Sequence, residues 1–214
     1  MAIAPSTDYL HWERQLWEGG YQAIAGVDEV GRGALAGPLV AAAVILPLDQ
    51  VQSAELHPLW TTIRDSKVLS HAKRVTIAEG ILSSGAHVSI AEITCEEIDA
   101  IGIGPANRCA MERAVHALPH PPDMLLIDAM TIDLDTPQIG VIDGDAQSLS
   151  IAAASIVAKV HRDTIMMDFA TTWPAYGFDR HKGYGVAAHV AALADHGPCP
   201  QHRHSFAPVR RSVR

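Results

Sequence analysis

The order of apolar and polar residues along the chain predicts a mixed α/β fold. Apolar or alternating segments predict five strands, at residues 23–28, 38–46, 87–93, 124–127 and 140–142. Helical spacing and start signals predict six helices, at residues 7–18, 70–83, 96–101, 105–118, 148–169 and 187–196. We therefore expect one large domain in which helices cover a central sheet.

Three further segments carry no long periodic pattern. Residues 48–50 are predicted to form a turn, and residues 173–186 form a loop rich in Gly, Pro and aromatic residues, a composition typical of functional loops. The last segment, 201–214, is basic and is expected to fray at its end.

Composition excludes several classes of protein. With 214 residues, of which 48% are hydrophobic, the chain can bury a substantial core and is not intrinsically disordered. It has neither an 18-residue apolar run nor the basic and apolar start of a signal peptide, so we expect a cytoplasmic protein without a membrane partner. The three cysteines form no CxxC pair, which agrees with a reducing compartment.

Charge is distributed unevenly along the chain. The formal net charge of −8 argues against a nucleic-acid partner, yet residues 1–145 hold 8 Lys/Arg against 20 Asp/Glu, whereas residues 146–214 hold 8 against 4. This division fits an acidic metal centre beside a basic surface for a polyanion, and it fits ordinary scatter of surface charge equally well.

Four acidic residues lie where apolar segments give way to glycine or polar residues: Asp28, Glu29, Asp128 and Asp145. Strand ends in an α/β sheet collect residues from distant parts of the sequence, and carboxylates brought together need a cation to remain ionised. Oxygen ligands favour Mg²⁺ or Mn²⁺, and two such ions suit phosphodiester cleavage. Solvated loop acids or helix caps are the alternative. Adjacent strand residues point to opposite faces, so Asp28 and Glu29 can both reach metal only if the strand ends between them.

Two weaker patterns point to other kinds of site. Gly31-Arg32-Gly33, with Gly37, loosely resembles a nucleotide-binding loop, but the two preceding acids would repel a pyrophosphate and disfavour a nucleotide-dependent oxidoreductase. A group of His and Cys residues near the end has spacing that does not favour zinc. The members of this group are His196, Cys199, His202 and His204.

Five longer motifs closely resemble bacterial ribonuclease HII, a type 2 ribonuclease H, over about residues 21–209. They are GVDEVGRGALAGPLVAAAVIL (26–46), RDSKVLS (64–70), LLIDAM (125–130), GDAQSLSIAAASIVAKVHRD (144–163) and the segment from Tyr176 to Val209. The resemblance implies a ribonuclease H-like mixed sheet flanked by helices, with a C-terminal helical extension.

The resemblance also implies an activity and a site. The expected enzyme is an endonuclease that cuts the RNA strand of RNA/DNA hybrids and incises duplex DNA 5′ of an embedded ribonucleotide, leaving 3′-hydroxyl and 5′-phosphate ends. The catalytic and metal-binding residues are expected to be the same four acids, holding two Mg²⁺ or Mn²⁺ ions. The substrate-binding residues are expected to be Gly31, Arg32, Gly33, Ser66, Lys67, Lys182 and Tyr184.

Further expectations concern organisation and structural residues. A helical segment (1–20) is expected to precede a catalytic core (21–170) and a substrate-binding extension (171–214), in a chain that is a monomer. Lys159 and Arg162 are predicted to pair with Asp128 or Asp163, with Asp163 at the helix surface. The histidines predicted at the surface or in loops are His161, His181 and His189. A non-catalytic hybrid-binding module is the alternative function, but it predicts loss of a catalytic acid, and all four are present.

Overall fold

The structure, a computed structural model that describes residues 8–52, 56–63 and 69–212, contains a five-stranded mixed sheet. The strands are β1 (Ile24–Val30), β2 (Leu39–Ile45), β3 (His87–Ile93), β4 (Met124–Asp128) and β5 (Gln138–Val141). Their spatial order is β3-β2-β1-β4-β5. β1 pairs antiparallel with β2 and parallel with β4, while β2–β3 is antiparallel and β4–β5 is parallel. The carboxyl ends of β1, β4 and β5 therefore meet at one edge.

The helices cover both faces of this sheet. In chain order they are α1 (His11–Glu18), α2 (Leu48–Val51), α3 (Pro58–Thr62), α4 (His71–Ser83), α5 (Cys95–Ile101), α6 (Ile103–His116), α7 (Leu149–Thr172), α8 (Phe178–His181), α9 (Ala187–His196) and α10 (Ala207–Ser212). Short 3₁₀ turns occupy Gly144–Ala146 and Pro174–Tyr176. No helix in the part of the chain described here has the length and apolar character needed to cross a membrane.

Strand β2 shows how the core is divided. All seven of its residues are buried, because successive side chains point to opposite faces and both faces are covered. Val40, Ala42 and Val44 pack against α4 and α7. The alternate residues, among them Leu39 and Ala41, pack against α5 and α6. β2 is thus a central strand between two apolar layers.

Helix α7 lies against β1 at unusually close range because β1 carries Gly26. A Cβ atom at this position would lie 2.1 Å from the backbone carbonyl carbon of Ser150. The first turn of α7 is also fixed by α1, since Glu13 Oε1 accepts hydrogen bonds from the hydroxyls of Ser148 (2.6 Å) and Ser150 (2.7 Å). Burial is the main cause that raises the pKa of Glu13. These contacts fix the helix relative to the sheet edge.

The predicted strands and long helices are confirmed, and two predictions about the remaining segments are wrong. Residues 48–50 belong to the short helix α2, not to a turn, and α3 was not predicted. The predicted loop 173–186 contains the 3₁₀ turn Pro174–Tyr176 and the short helix α8. The basic tail forms α10, where Val209 is fully buried in an apolar cluster with Leu35, Phe178 and Leu193, and its last two residues, where fraying is predicted, lie outside the described part. The C-terminal segment therefore has its own small core.

Candidate active site

The first two acids of the site lie on opposite faces of β1. The strand continues to Val30, so the prediction that it ends between Asp28 and Glu29 is wrong. Asp28 shares the α7 face and interacts with Ser155 there. Glu29 shares the α6 face, where Asn107 is its hydrogen-bond partner. Neither Ser155 nor Asn107 was expected as a site residue.

The third acid, Asp128, is the last residue of β4. The pairing of β1 with β4 ends at Val27 and Ile127, which places Asp128 beside the strand position of Asp28. Its Oδ1 accepts a hydrogen bond from the backbone N–H of Gly144 at 2.7 Å. This bond ties the β4 end to the 3₁₀ turn that carries Asp145.

Mutual repulsion and burial disfavour the ionised form of these acids. Burial raises the pKa of Asp28 to about 8, the charges of Glu29 and Asp128 add to the rise, and the Ser155 hydrogen bond opposes it. Burial also raises the pKa of Glu29, and the charge of Asp128 contributes, whereas Asn107 and the charge of Arg32 lower it. The Asp128 charge thus raises the pKa of both β1 acids.

The fourth acid lines an adjoining cleft. Asp145 borders a space of ≈ 260 Å³ together with Glu29, Ser155, Lys159 and Arg74. In the described ranges, no three His, Cys, Asp or Glu side chains are arranged so that they could hold a metal ion. The structure therefore brings Asp28, Glu29 and Asp128 into electrostatic contact and places Asp145 on the same cleft, without forming a closed ligand set.

The loop after β1 is held by two buried arginines. Arg162 donates from Nε to the Pro38 carbonyl (2.8 Å) and from Nη2 to the Ala36 carbonyl (3.0 Å). Arg203 donates from Nη1 to the Arg32 carbonyl (3.0 Å) and from Nη2 to the Gly37 carbonyl (2.8 Å). Both arginines are fully buried, and these four hydrogen bonds run to backbone oxygens. They support the backbone of the Gly31–Gly37 loop from the protein interior.

Tyr184 lies against this loop. It forms an antiparallel bridge with Ala34, and the Gly183 carbonyl accepts from the Leu35 N–H at 2.8 Å. The guanidinium carbon of Arg162 lies 5.4 Å, and Lys159 Nζ 5.9 Å, from the centroid of the Tyr184 ring. The loop and the tyrosine, which are far apart in sequence, thus form one surface beside the acids.

The structure confirms some of the contacts predicted for the basic residues and contradicts others. Lys159 pairs with Asp163 at 2.7 Å, as predicted, but Asp163 is buried and not at the surface. Arg162 binds carbonyl groups instead of a carboxylate. Lys182 Nζ donates to the Asp179 carbonyl, on the exposed side of α8. The predicted phosphate contacts Ser66 and Lys67 lie outside the described residues.

Histidine placement differs most from the prediction. His189 is fully buried, which makes its surface assignment wrong, whereas His161 and His181 are half-buried. His202 and Arg203, in the tail, are also fully buried. No sequence signal marked these residues as interior ones, because Arg is mostly exposed in proteins and His is buried only in part of its occurrences.

Comparisons with known proteins identify close relatives. A protein-family model described as Ribonuclease HII matches residues 25–209. A ribonuclease HII from Syntrophobacter fumaroxidans is 49% identical over 210 residues, which cover 98% of this chain and 87% of the relative. One from Bacillus subtilis is 48% identical over 199 residues, covering 93% and 75% of the two chains.

Solved structures share the fold at low sequence identity. Ribonuclease H2 from Pyrococcus horikoshii OT3 matches with a TM-score of 0.75 at 22% identity, over 89% of this chain and 97% of the other. Bst-RNase HIII in complex with Mn²⁺ matches with a TM-score of 0.68 at 17% identity, over 99% and 75% of the two chains. The ribonuclease H-like fold is thereby confirmed.

Proposed function

The chain belongs to the ribonuclease HII family, endonucleases that hydrolyse RNA in RNA/DNA hybrids, and we propose that its catalytic residues are Asp28, Glu29, Asp128 and Asp145. The observation that carries this assignment is the convergence of these acids from β1, β4 and the turn after β5 on one sheet edge. We further propose that the enzyme incises duplex DNA 5′ of an embedded ribonucleotide and leaves 3′-hydroxyl and 5′-phosphate ends.

The acids have the chemistry of a site for divalent cations. All four donors are carboxylates, which suit Mg²⁺ or Mn²⁺, and the raised pKa of Asp28 shows that this group is poorly stabilised as an anion without a cation. Two bound ions would supply positive charge to the attacking and leaving oxygens of the phosphodiester. Although Asp28 and Glu29 lie on opposite faces of β1, Glu29 lines the same cleft as Asp145 and Ser155, and Ser155 is the partner of Asp28. Both carboxylates can therefore face one metal site without the strand ending between them.

The chain's own residues would position the acids and the substrate. Ser155 and the Glu29 N–H hold the Asp28 carboxylate, the latter at 2.7 Å from Oδ1, so Asp28 would be oriented to bind a cation. The Gly144 N–H holds Asp128 in the same way. No side-chain nucleophile is needed, because water attacks the phosphorus.

Recognition is proposed to depend on the 2′-hydroxyl, the group that distinguishes a ribonucleotide from its DNA neighbours. The backbone of Gly31, Arg32 and Gly33 would contact this hydroxyl, and the Tyr184 ring would pack against the sugar. Lys182 and the exposed Arg32 would contact phosphates, which gives affinity without base specificity. Ser66 and Lys67 keep the same proposed role.

The organisation of the chain, its location and its partners are further parts of the proposal. The division into residues 1–20, 21–170 and 171–214 is one, although the contacts of Arg203 with the Gly31–Gly37 loop support a substrate-binding role for the last part. A cytoplasmic monomer is another. One neighbour is described as a PCNA:RNase HII complex from Archaeoglobus fulgidus, with a TM-score of 0.70 at 23% identity, so a sliding clamp is a partner to test.

A nicking assay tests the proposed function. A labelled duplex with one ribonucleotide is incubated with Mg²⁺, with Mn²⁺ or with EDTA, and we expect metal-dependent nicking 5′ of the ribonucleotide. Asp128→Asn should abolish nicking while binding persists, whereas Asp135→Asn, at an exposed loop position, should cut normally. Binding of the duplex without metal-dependent nicking would support the hybrid-binding module instead.

A further inference from the structure

Three histidine rings form a cluster behind the Tyr184 loop. The rings of His181 and His189 are stacked with centroids 4.6 Å apart, and the rings of His189 and His202 are 5.2 Å apart. His189 and His202 are both fully buried. Phe178 and Tyr176 pack around them. Neither the proposed chemistry nor the family assignment gives this histidine cluster a role.

The hydrogen bonds of the pair define which nitrogens carry protons. The Cys199 N–H donates to His202 Nδ1 at 2.9 Å, so this nitrogen carries no proton. The Cys199 carbonyl, 3.2 Å from the same nitrogen, accepts instead from the His202 backbone N–H at 3.0 Å. His202 therefore carries its proton on Nε2, which donates to His189 Nε2 at 3.0 Å.

The chain of donors ends on the tyrosine loop. Because His189 Nε2 accepts, His189 Nδ1 carries the proton and donates to the Tyr184 carbonyl at 3.0 Å. Every ring nitrogen of the pair is thus used, with backbone groups at both ends. Neutral imidazoles are required, since a second proton on either ring would place two N–H groups face to face. Burial lowers the pKa of His202 to about 4 and also lowers that of His189, which agrees with this state.

His202 and Arg203 also contact the Gly31–Gly37 loop, against which Tyr184 lies. His202 forms an antiparallel bridge with Ala36, and the Arg203 N–H donates to the Leu35 carbonyl at 2.9 Å. The histidine pair consequently lies where the Gly31–Gly37 loop and the Tyr184 loop meet. Apolar side chains of similar size would fill this space without the cost of burying four polar nitrogens.

We propose that His189 and His202 are positioning residues for substrate selection: a neutral hydrogen-bonded pair that fixes the Tyr184 backbone and thereby the ring that reads the sugar. This inference rests on the proposed role of Tyr184. His189 and His202 do not touch substrate, and they are not acid–base groups, because both rings face protein backbone or each other. Their effect should appear in the ratio of cleavage at a single ribonucleotide to cleavage of an RNA/DNA hybrid.

Two amide variants of one residue separate positioning from packing. In His189→Asn the amide lies at the Nδ1 position and retains the bond to the Tyr184 carbonyl while losing His202. In His189→Gln the longer amide reaches His202 and loses the Tyr184 bond. Since each variant keeps one bond, similar losses of thermal stability are expected. His204→Gln, at an exposed neighbouring position, is the matched control and should leave the ratio unchanged.

The readout is kcat/KM on both substrates. We expect His189→Gln to lower the single-ribonucleotide to hybrid ratio about threefold to tenfold, the effect of one hydrogen bond, and His189→Asn to remain within about twofold of the wild type. In a Tyr184→Ala background, His189→Gln should not change the ratio further, because the histidine acts through the tyrosine. Equal ratios for the two amide variants, or additive effects with Tyr184→Ala, would overturn the inference.

The Tyr184→Ala variant distinguishes this failure from a failure of the proposed function. If Tyr184→Ala alone leaves the ratio unchanged, Tyr184 does not read the sugar, and both statements fall together. If Tyr184→Ala lowers the ratio and the two amide variants behave alike, Tyr184 keeps its role and only the histidine inference is wrong.

Discussion

Replacement of Asp28 by asparagine should make the metal-free protein more stable while it removes cleavage. Burial and the charges of Glu29 and Asp128 raise the pKa of Asp28 from the usual 3.8 to about 8. At about 1.36 kcal/mol per pH unit, holding this carboxyl in the folded protein near pH 7 costs about 4 kcal/mol. An amide of the same shape avoids this cost and keeps the capacity to accept a hydrogen bond from Ser155.

The gain should depend on pH in a defined way. A carboxyl with a raised folded-state pKa causes no loss of stability below about pH 4, and the loss grows between about pH 4 and pH 8 and is constant above. The free energy of unfolding of Asp28→Asn should therefore exceed that of the wild type by about 5 kcal/mol near pH 8, and by almost nothing near pH 4. Asp135→Asn, at an exposed position, should show no such trend.

Urea unfolding in EDTA across this pH range measures the effect. Excess Mg²⁺ should then stabilise the wild type more than Asp28→Asn, since a ligand that binds only the folded state adds to stability. A variant that is less stable than the wild type near pH 8, or a gap that does not change with pH, would show that Asp28 is not strained by its surroundings.

Three other substitutions, with Gly104→Ala as a control, test the contacts that support the site. Gly26→Ala should lower the free energy of unfolding by about 3 kcal/mol or more, since its Cβ would meet the α7 backbone at 2.1 Å. Gly104→Ala, with open space around its Cβ, should raise the free energy of unfolding by about 0.5 to 1 kcal/mol. Similar changes for the two variants in urea titrations would contradict this reasoning. Arg203→Met should cost about 3 to 5 kcal/mol by thermal unfolding, because the Gly37 carbonyl loses its buried donors, and no loss would refute that role. Glu13→Gln should stabilise the protein increasingly as pH rises, because the raised pKa of Glu13 makes its anion costly; a constant difference between the two proteins across pH would count against this.

The strands and long helices were predictable because their periodicity extends over several residues. β3 (87–93) and α9 (187–196) have the predicted bounds, and Ser70 caps α4 by accepting from the Lys73 N–H. Helices α2 and α3 have four and five residues, too few for a periodic pattern to show. They are held by contacts such as the bond from the Trp60 indole N–H to Gln50, which no local pattern encodes.

The acids of the site could be predicted from the sequence, whereas the residues that hold the adjoining loop could not. The rule that strand ends gather functional residues located Asp28 and Asp128, although β1 continues past both of its acids. Arg203, in contrast, binds the Gly37 carbonyl across 166 residues of sequence, and a pattern that classes arginine as exposed cannot predict this contact. Long-range hydrogen bonds to backbone carbonyls leave no periodic trace in the sequence.

The bonds that join the Gly31–Gly37 loop to residues 201–203 also bear on the order in which the protein is completed during synthesis. β1, β4 and the turn with Asp145 precede residues 201–203 in the chain, and domains fold in the course of translation. The loop, however, gains the Arg203 and Gln201 contacts only after those residues have been added. A growing chain thus contains all four proposed acids before it contains the residues that complete the substrate-reading loop.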